Sequence, residues 1–336
     1  MKVGLAPCQE HGGFRTTLAQ TLLAEELGYD SVWLFEHHDV EYAGGETNYI
    51  PSPLVLLAAL ATRTSRLLLG TGVVILPLTH PVRLAEEAAM VDEISQGRLI
   101  LGVGTGYRQA EFAAFGVPYQ ERGARTEEAL RLLVRLLSER QVTQPGRFYP
   151  VNAVSTPPPI QQPRLPILVA GWSRPALRRA ARFGDGWIGG VTADYAKVRE
   201  CIAIYREELV AAGKDPAQAQ IALERECFVA ATPEDRAAAA EALYRMYLAE
   251  HVSWEHSNVQ GTEPTHFAAI ARDRFLLGSP TEVLAELERY AALGVGHFIL
   301  RMHYRAFDPQ IAERSMRLFA REVLPALRQL PVGAPA

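Results

Sequence analysis

Two hydrophobic rhythms alternate along the chain. Short unbroken apolar runs, rich in branched residues, occur at 3–6, 30–35, 67–76, 98–103, 167–170, 186–188, 221–230 and 297–302, as strands buried on both faces require. Between them lie longer stretches in which apolar residues recur at three- and four-residue steps, at 16–27, 53–62, 82–94, 122–139, 176–183, 195–212, 233–249, 280–293 and 309–327. That spacing builds one apolar face on a helix. In 82–94, Leu84, Ala88, Val91 and Ile94 share a face, Arg83, Glu86, Glu87 and Glu93 take the others, Pro81 opens the helix and Gly97 closes the segment. A strand, a crossover helix and a second strand joined by short loops form a right-handed parallel unit. Eight strands repeating this order predict an α/β chain, a (β/α)8 TIM barrel with insertions, as one domain over 1–336.

Three stretches depart from the rhythm. The prolines of 146–165 forbid a long helix and predict an excursion outside the barrel. Residues 251–278 hold no clean period and read as a mobile connection over the barrel mouth. The helix at 53–62, PLVLLAALAT, has almost no polar face. One side meets the barrel, and a second copy of the chain is the simplest cover for the other, so a homodimer is expected.

Composition narrows the function classes. With 336 residues, 48% of them hydrophobic and 21% charged, the chain can bury a large core. A net charge of −4 without a Lys/Arg cluster argues against a nucleic-acid surface. No apolar run approaches the roughly 20 residues that span a membrane. The amino-terminal MKVGLAPCQEHGG lacks a signal-peptide core, and Cys8, Cys201 and Cys227 form no C-x-x-C, so a cytoplasmic setting is expected.

Candidate chemistry gathers at the carboxyl ends of the strands. Gly70, Gly72, Gly102, Gly104 and Gly106 suit either close approach of a flat or anionic ligand or tight barrel packing, and the glycines alone do not choose between them. GVGTG lacks the third glycine of a dinucleotide fingerprint, and Glu127 and Glu128 stand in a helical pattern, which excludes that fold. The second strand runs into Glu36, His37, His38 and Asp39. Neighbouring strand side chains point to opposite faces, so His37 and His38 do not share a metal, and one of them faces the mouth. His251 and His256 do not make H-E-x-x-H, and no metal is assigned. Two competing readings remain at this level: Glu36 and Glu111 as the carboxylate pair of a glycosidase, and a barrel that binds a flavin without turnover.

Taken together, VWLFEHH at 32–38, GTGVVILPLTHPVRLAEEAAMVDEISQGRLILGVGTGY at 70–107, EFAAFG at 111–116 and PILVAGWS at 166–173 resemble the bacterial luciferase-like flavin monooxygenases. The resemblance implies a barrel that takes reduced FMN from a separate flavin reductase and uses O2 to oxidise a small organic substrate. Some relatives use the deazaflavin F420 for hydride transfer instead, and GDGW at 184–187 looks more like those. By the same resemblance His37 matches a catalytic base, Glu111 an acidic residue near the flavin, Gly72-Val73 a non-prolyl cis peptide beside the ring, and Ser173 a phosphate-binding serine. Ala6 and Gly171, at strand ends, join Gly72, Val73, Gly104, Thr105 and Ser173 as expected cofactor contacts. Gly104 stands where luciferases carry a reactive cysteine and Thr105 where they carry a phosphate-binding arginine. Trp172 and Ala176 also replace polar residues. Arg174, beside Ser173, is the expected substitute for the missing charge.

Overall fold

The computed structural model describes residues 1–9, 13–41, 47–50, 52–247, 271, 273–303 and 309–330. Its central ring consists of β1 (Lys2–Ala6), β2 (Ser31–Leu34), β3 (Leu68–Thr71), β4 (Leu99–Gly104), β5 (Ile167–Ala170), β6 (Gly186–Gly189), β7 (Gln220–Val229) and β8 (His297–Arg301), each parallel to the next. β8 pairs with β1, Val3 beside Phe298, and this closes the (β/α)8 barrel. Helices cover the outside. The main core lies between the two layers, where Leu69, Leu99 and Leu101 of the strands meet Leu84, Leu130 and Leu133 of the helices Pro81–Ile94 and Arg122–Leu136.

Inside the ring, Ala6, Trp33, Leu168, Ile188, Ala222 and Ile299 form a separate buried cluster. Trp33 is its largest member, and the strands on either side make room for it: a Cβ on Gly4 would lie 2.8 Å from the indole and one on Gly70 only 2.3 Å. The indole Nε1 donates to Ser31 Oγ at 2.8 Å, and that oxygen lies 2.7 Å from His297 Nε2. Burial pushes the His297 imidazole down to about 3, so this polar chain is neutral at physiological pH.

The observed elements correct the sequence reading in several places. The run 67–76 is not one strand. β3 stops at Thr71, the Gly72-Val73 peptide bond is cis, and Val74–Ile75 restarts beside Val103 and Gly104 of β4. At the break the ladder gives way to side-chain bonds: the Thr71 hydroxyl donates to the Gly102 carbonyl at 2.7 Å and accepts from the Gly102 N–H at 2.8 Å. The Ile75 N–H donates to the Glu36 carboxylate. Two antiparallel pairs, His37–Glu41 with Thr47–Ile50 and Val142–Gln144 with Val151–Val154, and the short helix Gln109–Ala114 have no counterpart in the hydrophobic rhythm. The second pair opens the proline-rich excursion, where Glu128 accepts from the N–H groups of Arg147, Phe148 and Tyr149. Of 251–278, residues 251–270 and 272 lie outside the described residues, while Leu276–Gly278 is a strand beside Cys227, Phe228 and Val229. The closing helix is two helices, Pro309–Leu318 and Leu324–Gln329, joined by a wider turn over Phe319–Val323; Pro325 has no N–H to donate, and the wider turn absorbs the mismatch. Among the described residues no helix is long and apolar enough to cross a membrane.

Candidate active site

A cavity of about 420 Å³ opens at the carboxyl ends of the strands and rests on the inner cluster, with Phe35, Val73, Ala170 and Ile188 in its wall. Its size and place suit a small-molecule site in this fold.

One end is built by residues 36–38 and the helix Gln109–Ala114. Glu111, in the first turn of that helix and fully buried, accepts from His37 Nδ1 at 2.9 Å, from the His38 N–H at 2.9 Å and from Arg108 at 3.4 Å, all on Oε1. Oε2 is buried and has no hydrogen-bond partner among the described residues. Burial pushes the Glu111 carboxyl up, but the His37 bond, the His38 N–H and the Arg108 charge outweigh it and hold the group below its ordinary range. Glu111 is therefore an acceptor. Nδ1 of His37 then carries the proton of this bond. His37 lines the cavity. His38 turns away, with its ring 4.6 Å from Phe115 and Nε2 3.3 Å from Glu36, and the Glu36 bond raises its imidazole above the usual value against the opposing effect of burial. Glu36 holds both Ile75 and His38, so it serves the backbone rather than a second reacting carboxylate.

The other end lies between β4 and β5. Thr105, Arg122, Gly171 and Ser173 line it. Ser173 is the N-cap of the helix Arg174–Phe183, yet its hydroxyl makes no cap bond, which leaves it for a ligand at a helix start that already favours anions. The backbone at Gly171 is left-handed, φ +139°, and a Cβ there would lie 2.5 Å from that of Ala176.

The five glycines at the strand ends divide between the two roles left open by the sequence. Gly70 makes room for Trp33, and a Cβ on Gly102 would fall 1.9 Å from the Thr71 carbonyl oxygen, so these two serve packing. Gly72, Gly104 and Gly106 line the cavity. At Gly72 a Cβ would meet nothing closer than 3.6 Å, a bare stretch of wall against which a planar ring fits. With the unpartnered Glu111 Oε2 and the uncommitted Ser173 hydroxyl, the residues present fit a flat cofactor carrying an anionic tail.

Of the residues expected from sequence, His37, Gly72, Val73, Gly104, Thr105, Glu111, Gly171 and Ser173 converge on this cavity. Ala6 does not; it belongs to the cluster beneath, with Trp33. Nor does Arg174, whose guanidinium is held by Glu207 and, at 3.1 Å, by Glu208. Tyr107, Arg122, Glu224 and Arg301 also line the cavity and were not expected. Arg301 sits at the end of a predicted strand, where the fold places functional groups; Glu224 lies within the strand Gln220–Val229, Arg122 opens a predicted helix, and nothing in the sequence setting of either marks it.

Comparison with known proteins gives a match to the family model described as luciferase-like monooxygenase over residues 2–297. An F420-dependent glucose-6-phosphate dehydrogenase of Kineococcus radiotolerans is 32% identical over 322 residues, 91% of this chain and 90% of that protein. The oxygenase component of a flavin-dependent trigonelline monooxygenase of Acinetobacter baylyi is 27% identical over 92% of this chain and 89% of its own. Among solved structures, the monooxygenase RslO1 from Streptomyces bottropensis superposes with a TM-score of 0.82 at 31% identity, covering 97% of this chain and 99% of that one.

Proposed function

The chain belongs to the luciferase-like monooxygenase family and is an oxidoreductase of that class, and on that premise we propose that it holds reduced FMN in the cavity and uses O2 to oxidise a small organic substrate. The observation that carries the reading is the His37–Glu111 pair, 2.9 Å apart, in one cavity with the side-chain-free wall at Gly72. Gly72, Val73, Gly104 and Gly171 would hold the ring system, and Thr105 and Ser173 the phosphate. Reduced FMN, when bound, supplies the electrons with which O2 is activated. His37 moves the proton: Glu111 fixes the tautomer, and Nε2 accepts and returns a proton at the cavity side, a task that suits an imidazole. The Acinetobacter relative is named as an oxygenase component, which supports a separate reductase as the source of reduced cofactor.

A second reading is F420-dependent hydride transfer. It is favoured by the 32% identity to the Kineococcus dehydrogenase over nine-tenths of both chains and by the GDGW sequence at 184–187. In that case His37 Nε2 would take the proton of a substrate hydroxyl. Apoprotein mixed with FMN, reduced FMN and F420, then passed through a desalting column, separates the two. Retention of reduced FMN with substrate-dependent oxygen uptake is expected; retention of F420 alone replaces the first reading with the second, and retention of neither sinks both.

We also propose that a second copy covers the paired helices Pro53–Ala61 and Pro81–Ile94, where Val55 is 69% and Met90 45% exposed. Sedimentation at micromolar concentration should give twice the mass of the chain, and a stable monomer would refute the dimer.

A further inference from the structure

The helix Arg174–Phe183 carries four arginines, and one of them is unlike the rest. Arg174, Arg178 and Arg182 are about half exposed and paired with Glu207, Glu208 or Glu127. Arg179 is only 9% exposed and has no carboxylate in ion-pair contact among the described residues. Among the described residues its Nε has no hydrogen-bond partner, and its Nη2 makes a long contact, 3.5 Å, to the Thr105 hydroxyl. Glu127, whose charge acts on it from outside contact, is already shared by Arg131 and Arg182. A buried cation with no carboxylate in contact is costly, and an anion arriving beside it offsets that cost. Thr105 lines the cavity, so the cavity is the side from which an anion can approach Arg179.

We propose that Arg179, set behind Thr105, supplies the positive charge that positions a phosphate group at the β4–β5 end of the cavity. This rests on the cofactor reading above, since FMN and F420 both carry a phosphate beyond the ribityl chain. Three further features converge there. Thr126 Oγ1 lies 3.4 Å from Thr105 Oγ1. Ser173 offers an unused hydroxyl at the start of a ten-residue helix. Arg122, which lines the cavity, stacks 3.7 Å from the Tyr119 ring and donates to the Tyr119 carbonyl. The charge that Thr105 does not carry thus comes from the next layer out. Arg174, adjacent to Ser173 in sequence, is held on the outer face by its two glutamates.

The test uses affinity ratios, in which general damage to the site cancels. Full-length apoprotein is titrated by fluorescence with FMN against riboflavin, and with F420 against its phosphate-free deazaflavin core; whichever pair shows the preference identifies the source of the phosphate. Wild type should prefer the phosphate-bearing partner. Arg179→Met should cut that preference by about 10- to 100-fold, the worth of a charge-assisted hydrogen bond, with the phosphate-free affinity unchanged. Arg179→Lys should keep most of the preference, and Arg174→Ala all of it. Arg179→Gln is made alongside, because it drops the charge while keeping a polar head should the methionine variant fail to fold. If either folded, uncharged variant retains the full preference, or if wild type shows none in either pair, the proposal fails. If wild type binds none of the four compounds, the cofactor reading fails, and this proposal falls with it.

Discussion

The two ends of the cavity treat charge in opposite ways. Around His37 the protein answers its own charges: one oxygen of Glu111 takes three N–H donors, and Glu36 is committed to His38 and Ile75. Around Thr105 the buried Nε of Arg179 and the Ser173 hydroxyl stand without such commitments among the described residues. A cluster whose charges are largely paired is ordered before a ligand arrives, which suits the fixed tautomer proposed for His37. An unsatisfied one gains most of its worth when a ligand arrives, which suits an anchor.

The sharpest way to break this contrast is to remove the imidazole. His37→Ala should lower turnover by about 10² to 10⁴ while cofactor affinity stays within a few-fold of wild type; a live His37→Ala beside a dead His38→Ala would reverse their roles. The glycines offer the next test. Gly70→Ala forces a methyl into the Trp33 indole and should cost about 1–3 kcal/mol in urea unfolding. Gly72→Ala, with room for its methyl, should stay within about 1 kcal/mol of wild type but weaken cofactor binding. Equal losses of stability at both positions would erase the distinction between floor and wall.

The smallest effect concerns pH. The Glu36 bond raises the His38 imidazole above its ordinary value, with burial opposing. A raised folded value means that this pair contributes fully below the unfolded pKa near 6.5 and is lost as pH rises through the raised value. With both groups part-exposed, the contribution is under about 1 kcal/mol. Melting curves from pH 5.5 to 8.5 should show a fall in wild type that His38→Gln lacks; parallel curves would remove His38 from the account.

The barrel was legible because its strands are buried on both faces and its helices on one, so hydrophobic spacing carries nearly all the information. The same reasoning failed where side chains take over from spacing. Thr71 and Gly102 end a strand that the apolar run 67–76 continues, and the pair Val142–Gln144 with Val151–Val154 is too short to set a period, although Val142 is buried in the main core. At the site, strand ends and resemblance found His37, Glu111 and Ser173. Adjacency in sequence pointed to Arg174, but the first position of a helix faces outward as readily as inward. Arg179, five residues on and more than a turn further along, is the one whose direction brings it behind Thr105.

Trp33 and its flanking glycines have a kinetic consequence. With the barrel filled from below by the indole and its neighbours, the described residues leave the cavity its door at the carboxyl ends of the strands. Traffic through one door obeys a last-in, first-out order: the molecule that lies deepest must enter before its partner and cannot leave until that partner has gone. The steady-state pattern to expect is compulsory-order, with product leaving ahead of spent cofactor.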